Sequence, residues 1–223
     1  MSPESRLAGL YAITPEDPDT SRLLDRVRAC LEGGARAIQY RAKSLAPEAR
    51  RAQAHALARL CRDHGVPLIV NDSVELALEV GADGVHLGRD DGDTRAARNR
   101  LGNRIIGVSC YDEPARALKA GAEGADYVAI GSVFPSSTKP GAVRAQLSLL
   151  AEARAVSGLP VVAIGGITAR NAGEAIAAGA DMVALISALF DAPDIRAAAR
   201  EIARLFNESP RGAHDVRAQP RAV

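Results

Sequence analysis

Eight short apolar runs, each followed by a segment with helical spacing of its apolar residues, predict a single (β/α)8 barrel for this 223-residue chain. A repeated phrase supports the same parsing. Gly81-Ala82-Asp83-Gly84-Val85, Gly124-Ala125-Asp126-Tyr127-Val128 and Gly179-Ala180-Asp181-Met182-Val183 each join a helix end to a strand start, with Gly34-Ala35-Arg36-Ala37-Ile38 as a degenerate fourth copy. Glycine suits a helix C-terminus and aspartate a turn. A doubly wound open sheet is the alternative for such an alternation, but it would carry a glycine-rich dinucleotide loop after its first strand, and none stands there. Strand beginnings form the stabilising face of a parallel barrel, so the repeated aspartates read as structural.

Residues 10–14 form an apolar run stopped by Pro15, the first strand. Asp19 or Thr20 is a suitable N-cap for a helix in which Leu23, Leu24, Val27 and Leu31 recur until Gly33-Gly34 stops it. The second strand, from Ala37, ends in two cations: alternation puts Gln39 and Arg41 on one face, and Lys43 follows just past the strand end. Pro47 starts the second helix, and residues 67–72 are a strand with an apolar body and a polar end, Asn71-Asp72. Asp72 also stands where it would N-cap the helix over residues 74–80. The fourth strand, residues 84–88, carries His86, with Asp91 in the loop beyond. Helices over 94–101, 113–122, 147–157, 171–178 and 195–206 alternate with strands over 104–110, 127–133, 161–166 and 182–187. A longer loop, 134–144, carries Thr138 and Lys139. The barrel therefore takes residues 1–206, and 207–223, rich in Arg, Ala and Pro without periodicity, reads as a loose tail.

Composition narrows the function classes. Hydrophobic residues are 47% and charged residues 25%, as in ordinary globular proteins. A net charge of +1 is not that of a nucleic-acid or acidic-membrane binder, and 3% aromatic residues with no Trp gives no stacking platform for single strands. Cys30, Cys61 and Cys110 are odd in number and lack metal-ligand spacing, which fits a reduced, cytoplasmic compartment. Residues 1–6 lack the apolar core of a signal peptide, and no run reaches membrane-spanning length.

The C-terminal strand ends of such a barrel face its active site. They bring Gln39, Arg41, Lys43, Asn71, Asp72, Ser109, Gly165-Gly166 and Ile186-Ser187 to one rim, with Asp91, Thr138 and Lys139 in the loops. The arginine fork and lysine point charge suit a polyanion such as pyrophosphate. Asp72 and Asp91, without a His or Cys cluster, suit Mg²⁺, which takes one or two carboxylates plus water and phosphate oxygens. Gly165-Gly166 and Ile186-Ser187 fit the phosphate site that barrels build after their last two strands. No Ser-His-Asp or Cys-His arrangement is evident. His86 reads equally as a site residue or as a hydrogen-bonded core histidine.

The motifs Gln39-x-Arg41-x-Lys43, Asn71-Asp72, His86-x-Gly88-x-x-Asp91, Gly107-Val108-Ser109, Thr138-Lys139, Gly165-Gly166-Ile167 and Ile186-Ser187, in this order, resemble those of the thiamine phosphate synthase family from near Leu10 to Phe206. The resemblance implies joining hydroxymethylpyrimidine pyrophosphate to thiazole phosphate, by a dissociative step in which the aminopyrimidine supports a methylene cation. It implies Asp72 and Asp91 as ligands of Mg²⁺. Arg41, Lys43, Asn71, Ser109 and Lys139 would bind the leaving group, and Arg41, Lys43, Ser109 and Lys139 act in catalysis. Gln39 would hold the pyrimidine, Thr138 the thiazole phosphate loop, and Gly166, Ile186 and Ser187 the thiazole phosphate itself. Small homo-oligomers are implied too. The chain departs from the family pattern at Ser73, Arg89, Tyr111 and Ser136. A related thiazole tautomerase would need an acid/base group and no pyrophosphate-bound metal, so the carboxylate pair sets it second. A non-catalytic phosphate-binding regulator on the same fold comes third.

Overall fold

A computed structural model describes residues 7–135 and 143–208. In chain order its elements are β1 (Gly9–Ile13), α1 (Thr20–Glu32), β2 (Ala37–Tyr40), α2 (Pro47–Asp63), β3 (Leu68–Asn71), α3 (Val74–Glu79), β4 (Gly84–Leu87), α4 (Thr94–Leu101), β5 (Ile105–Tyr111), α5 (Pro114–Ala122), β6 (Tyr127–Ile130), α6 (Ser148–Ser157), β7 (Val161–Ile164), α7 (Ala172–Ala177), β8 (Met182–Leu185), α8 (Ser187–Phe190) and α9 (Ile195–Glu208). The strands close in sequence order into one parallel barrel, with β8 pairing back onto β1. This is the (β/α)8 architecture expected from the sequence.

Local signals act where the sequence puts them. Asp19 caps α1 by accepting the Arg22 amide, and Pro47 opens α2. Asp72 is not the cap of α3. Ser73 takes that place, its side chain accepting the Leu76 amide, while Asp72 sits in the left-handed region at φ 65°. Aspartate tolerates that conformation better than most residues, so its carboxylate is released from capping. Two further differences lie near the C-terminus: α8 is a four-residue helix with no periodicity to announce it, and α9 continues through Asn207 to Glu208. Residues 209–223 of the expected tail lie outside the described residues.

Two apolar layers hold the barrel. Inside it, small and medium side chains such as Ala37, Ile69, Ala129, Val162 and Ala184 meet Tyr11 and Tyr127. Outside it, Leu10, Ile38, Leu57, Leu68, Val85 and Ile106 pack between strands and helices. Full burial of such aliphatic side chains contributes about 1.5–3 kcal/mol each.

The repeated Gly-Ala-Asp phrase has one structural meaning. Asp83 accepts the Leu68 amide at 2.9 Å and donates its own amide to the Leu68 carbonyl at 2.9 Å. Asp126 repeats this with Ile106, and Asp181 with Val161. Each aspartate thereby ties its own strand to the start of the preceding one. In the degenerate copy, Arg36 keeps only the backbone bond, to Leu10. Among the described residues, no helix is long and apolar enough to cross a membrane.

Candidate active site

A cavity of about 430 Å³ opens at the C-terminal ends of the strands, lined by Gln39, Arg41, Asn71, His86, Ser109, Gly165, Gly166, Ile186 and Ser187 among others. The strand alternation explains the set: inward positions near each strand end reach the cavity, and the positions between them enter the strand–helix layer. Thr138 and Lys139 lie outside the described residues, as does Ser136.

The second strand and the loop after it are fixed by their neighbours. Arg41 donates its amide to the Thr14 hydroxyl at 2.9 Å, with Thr14 itself buried. Glu16 accepts the Lys43 amide at 2.5 Å and also binds Ser44, so the turn carrying Lys43 is anchored from β1's loop. Those contacts hold the Glu16 carboxyl below the usual carboxylate range, the Ser44 hydroxyl being the largest cause. The anchoring role of Glu16 could not be read from the sequence, because an exposed glutamate after Pro15 carries no signal of a partner 27 residues away.

Lys43 Nζ lies 3.0 Å from Asp72 Oδ2, and Asp72 is in hydrogen-bonding contact with Asp91. Asp91 Oδ2 accepts the Gly88 amide at 2.8 Å. Burial first, and the Asp72 carboxyl second, push the Asp91 pKa above the ordinary aspartate value. Two hard oxygen donors pressed together, with one of them resisting ionisation, fit a divalent cation that takes two carboxylates and completes its shell from water and phosphate. No group of three or more His, Cys, Asp or Glu among the described residues forms an all-protein cage.

The interior below the cavity holds a polar chain. Gln39 Nε2 donates to Tyr11 Oη at 2.9 Å, Tyr11 Oη meets Tyr127 Oη at 2.7 Å, Tyr127 Oη meets His86 Nδ1 at 2.9 Å, and His86 Nε2 meets Ser109 Oγ at 2.8 Å. His86 pairs in register with Gly107, and Gly107 with Tyr127, so the two rings stack across a position without a side chain. A Cβ on Gly107 would come within 1.9 Å of the Tyr127 ring, which gives that glycine its physical reason. Burial lowers the His86 pKa to about 4, so the ring is neutral at neutral pH. It is a hydrogen-bonded histidine of the barrel interior that also reaches the cavity wall. Tyr11 and Tyr127 escaped the sequence reading because tyrosines in apolar strands look like core, and their hydroxyls meet across 116 residues of chain.

On the opposite wall, Gly165 and Gly166 adopt φ of 98° and 65°, and the segment 132–135 lies so close that a Cβ on either would collide with it. Both the turn and the close approach require glycine. The amides of Gly166 and Ser187 make no hydrogen bond to another described residue, and both residues line the cavity. Three departures from the family pattern also find partners. Ser73 caps α3. Arg89 lies over the Tyr111 ring at 4.9 Å, and its amide donates to the Tyr111 hydroxyl at 3.2 Å. Arg116 lies 5.9 Å from the same ring and donates to the Ser109 carbonyl at 2.7 Å, bracing the strand end that presents Ser109.

Comparison with known proteins places this geometry. The family model described as thiamine monophosphate synthase matches residues 10–189. The chain is 58% identical over 203 residues to the thiamine-phosphate synthase of Thiobacillus denitrificans, covering 91% of this chain and 96% of that one. It is 58% identical over 202 residues to the enzyme of the same name from Chromobacterium violaceum, covering 90% and 97%. Among solved structures, thiamine phosphate pyrophosphorylase from Pyrococcus furiosus superposes with a TM-score of 0.82 at 38% identity, covering 93% of this chain and 98% of that one.

Proposed function

The chain belongs to the thiamine monophosphate synthase family and is a transferase of that type, and from this premise we propose that its barrel mouth joins hydroxymethylpyrimidine pyrophosphate to thiazole phosphate. The products are thiamine phosphate and pyrophosphate. The observation that carries the reading is the Asp72–Asp91 pair, set beside Lys43 and directly after Asn71, which lines the cavity with Arg41.

Asp72 and Asp91 would hold Mg²⁺, which when bound supplies positive charge against pyrophosphate oxygens. Arg41, Lys43, Asn71, Ser109 and Lys139 bind the same leaving group, and their charges and donors stabilise the negative charge that grows as its carbon–oxygen bond breaks. Gln39 orients the pyrimidine, whose ring supports the methylene cation left behind. Gly166, Ile186 and Ser187, together with Thr138, hold the thiazole phosphate so that the ring nitrogen faces that carbon and captures it. No protein nucleophile or strong base takes part, in keeping with the neutral His86. Three buried, free cysteines with thiols pushed up to about 12 fit a reduced cytoplasmic setting.

The test is thiamine phosphate formation by the purified chain from the two substrates, with Mg²⁺ or with EDTA, read as the fluorescent oxidation product. Product that depends on the metal is expected. Its absence from folded protein overturns the reading.

A further inference from the structure

We propose that the buried chain Gln39–Tyr11–Tyr127–His86–Ser109 is a one-way sequence of hydrogen bonds, each group donating to the next, which presents Ser109 to the cavity with its own hydroxyl proton free. Tyr11, Tyr127 and His86 are then positioning residues, and the inference rests on the proposed synthase reading for what Ser109 donates to.

The order follows from counting protons once the Gln39 amide is set, as in this structure, with Nε2 toward Tyr11 Oη. Gln39 Nε2 donates to Tyr11 Oη. The Tyr11 hydroxyl is buried, and among the described residues its remaining partner is Tyr127 Oη, so its proton goes there. Tyr127 is fully buried and now an acceptor, and among the described residues His86 Nδ1 is the group left for its proton. A buried hydroxyl proton aimed at nothing bears its full desolvation cost. An Nδ1 that accepts is bare, and a neutral imidazole then carries its hydrogen on Nε2, which faces Ser109 Oγ. A doubly protonated ring would leave the Tyr127 proton without an acceptor. Ser109 Oγ therefore accepts from inside, and its hydroxyl proton turns to the cavity it lines.

Function favours the same direction. Run backwards, the chain would use the Ser109 proton on His86 and leave only an oxygen facing the leaving-group anion. Run forwards, it gives a donor at the anion end and leaves Gln39 Oε1 as an acceptor at the other end, suited to the amino group of the pyrimidine. One arrangement of protons thus matches both parts of one substrate.

Two measurements on the full chain decide it. Nitrogen-15 NMR of the histidine side chains, with His86 assigned by its loss in His86→Asn, should show a protonated Nε2 and a bare Nδ1; the opposite tautomer overturns the proposal. A double-mutant cycle then tests whether Tyr127 acts through Ser109. Tyr127→Phe should lower kcat about tenfold with the thiazole phosphate KM unchanged, and have less than about a twofold further effect in a Ser109→Ala background. Equal losses in both backgrounds contradict the chain. Wild-type protein that makes no thiamine phosphate would sink the synthase reading, while the NMR result would still decide the proton order.

Discussion

At the lower end of the barrel Asp83, Asp126 and Asp181 each accept a strand amide, whereas at the mouth Asp72 and Asp91 lie against one another with Lys43 beside them. The lower carboxylates have their charge matched by backbone donors that the fold itself fixes. At the mouth two carboxylates adjoin, and partial burial first and the Asp72 carboxyl second make Asp91 resist ionisation. The same residue type is thus a fastening at one end of a strand and half of a carboxylate pair at the other. Position along the strand separates stability from chemistry.

Asp72→Ala breaks this comparison hardest. Removing one of two oxygen ligands should reduce metal-dependent turnover by at least about a hundredfold, while calorimetric binding of thiazole phosphate stays close to wild type. Normal turnover would remove the metal assignment. Gly107→Ala attacks the polar chain between the two ends, because its Cβ would overlap the Tyr127 ring. Overpacking of this kind costs about 1–3 kcal/mol, to be read as a lower urea midpoint, and kcat should fall as well since Tyr127 and His86 are displaced together.

His86 gives a pH signature with a definite sign. Its folded pKa is lowered from 6.5 to about 4, so between those values the unfolded chain takes up a proton that the folded chain refuses. The stabilisation is complete above pH 6.5 and is lost as pH falls through that window, with a slope of about 1 kcal/mol per pH unit from this group. The raised Asp91 works in the opposite direction, because its folded form takes up a proton first. His86→Gln should flatten the fall of the urea midpoint between pH 6.5 and 4; an unchanged slope would show that the ring is not the group responsible. The smallest effect belongs to the lower face. Asp181→Ala leaves the Val161 amide without its carboxylate and removes the Arg154 ion pair, at about 1 kcal/mol of stability and with kcat unchanged in the folded protein.

Much of this molecule is legible in its sequence because the barrel repeats a local rule. Apolar runs of about four residues set the strands, and the Gly-Ala-Asp phrases mark where each begins. Those aspartates read as structural, and their paired bonds to Leu68, Ile106 and Val161 provide that role. Gln39, Arg41, Asn71, Ser109, Gly165, Gly166, Ile186 and Ser187 are legible as strand ends, and they line the cavity. Besides the Glu16 anchor, three things were not legible. Capping of α3 went to Ser73 because Asp72 adopts a positive φ, and nothing in Asn71-Asp72-Ser73 tells which of two good caps will serve. The four residues of α8 are too few for a periodic pattern. The Tyr11–Tyr127–His86 chain depends on side chains from three strands meeting above Gly107, a property of barrel closure that no local window contains.

The most direct measurement is Mn²⁺ binding, followed by electron paramagnetic resonance in the presence of pyrophosphate, for the wild-type chain, Asp72→Ala and Asp181→Ala. The two-faced account predicts that wild type and Asp181→Ala bind alike and that Asp72→Ala loses the bound signal. Undiminished binding by Asp72→Ala, or a loss in Asp181→Ala while it remains folded, would contradict it.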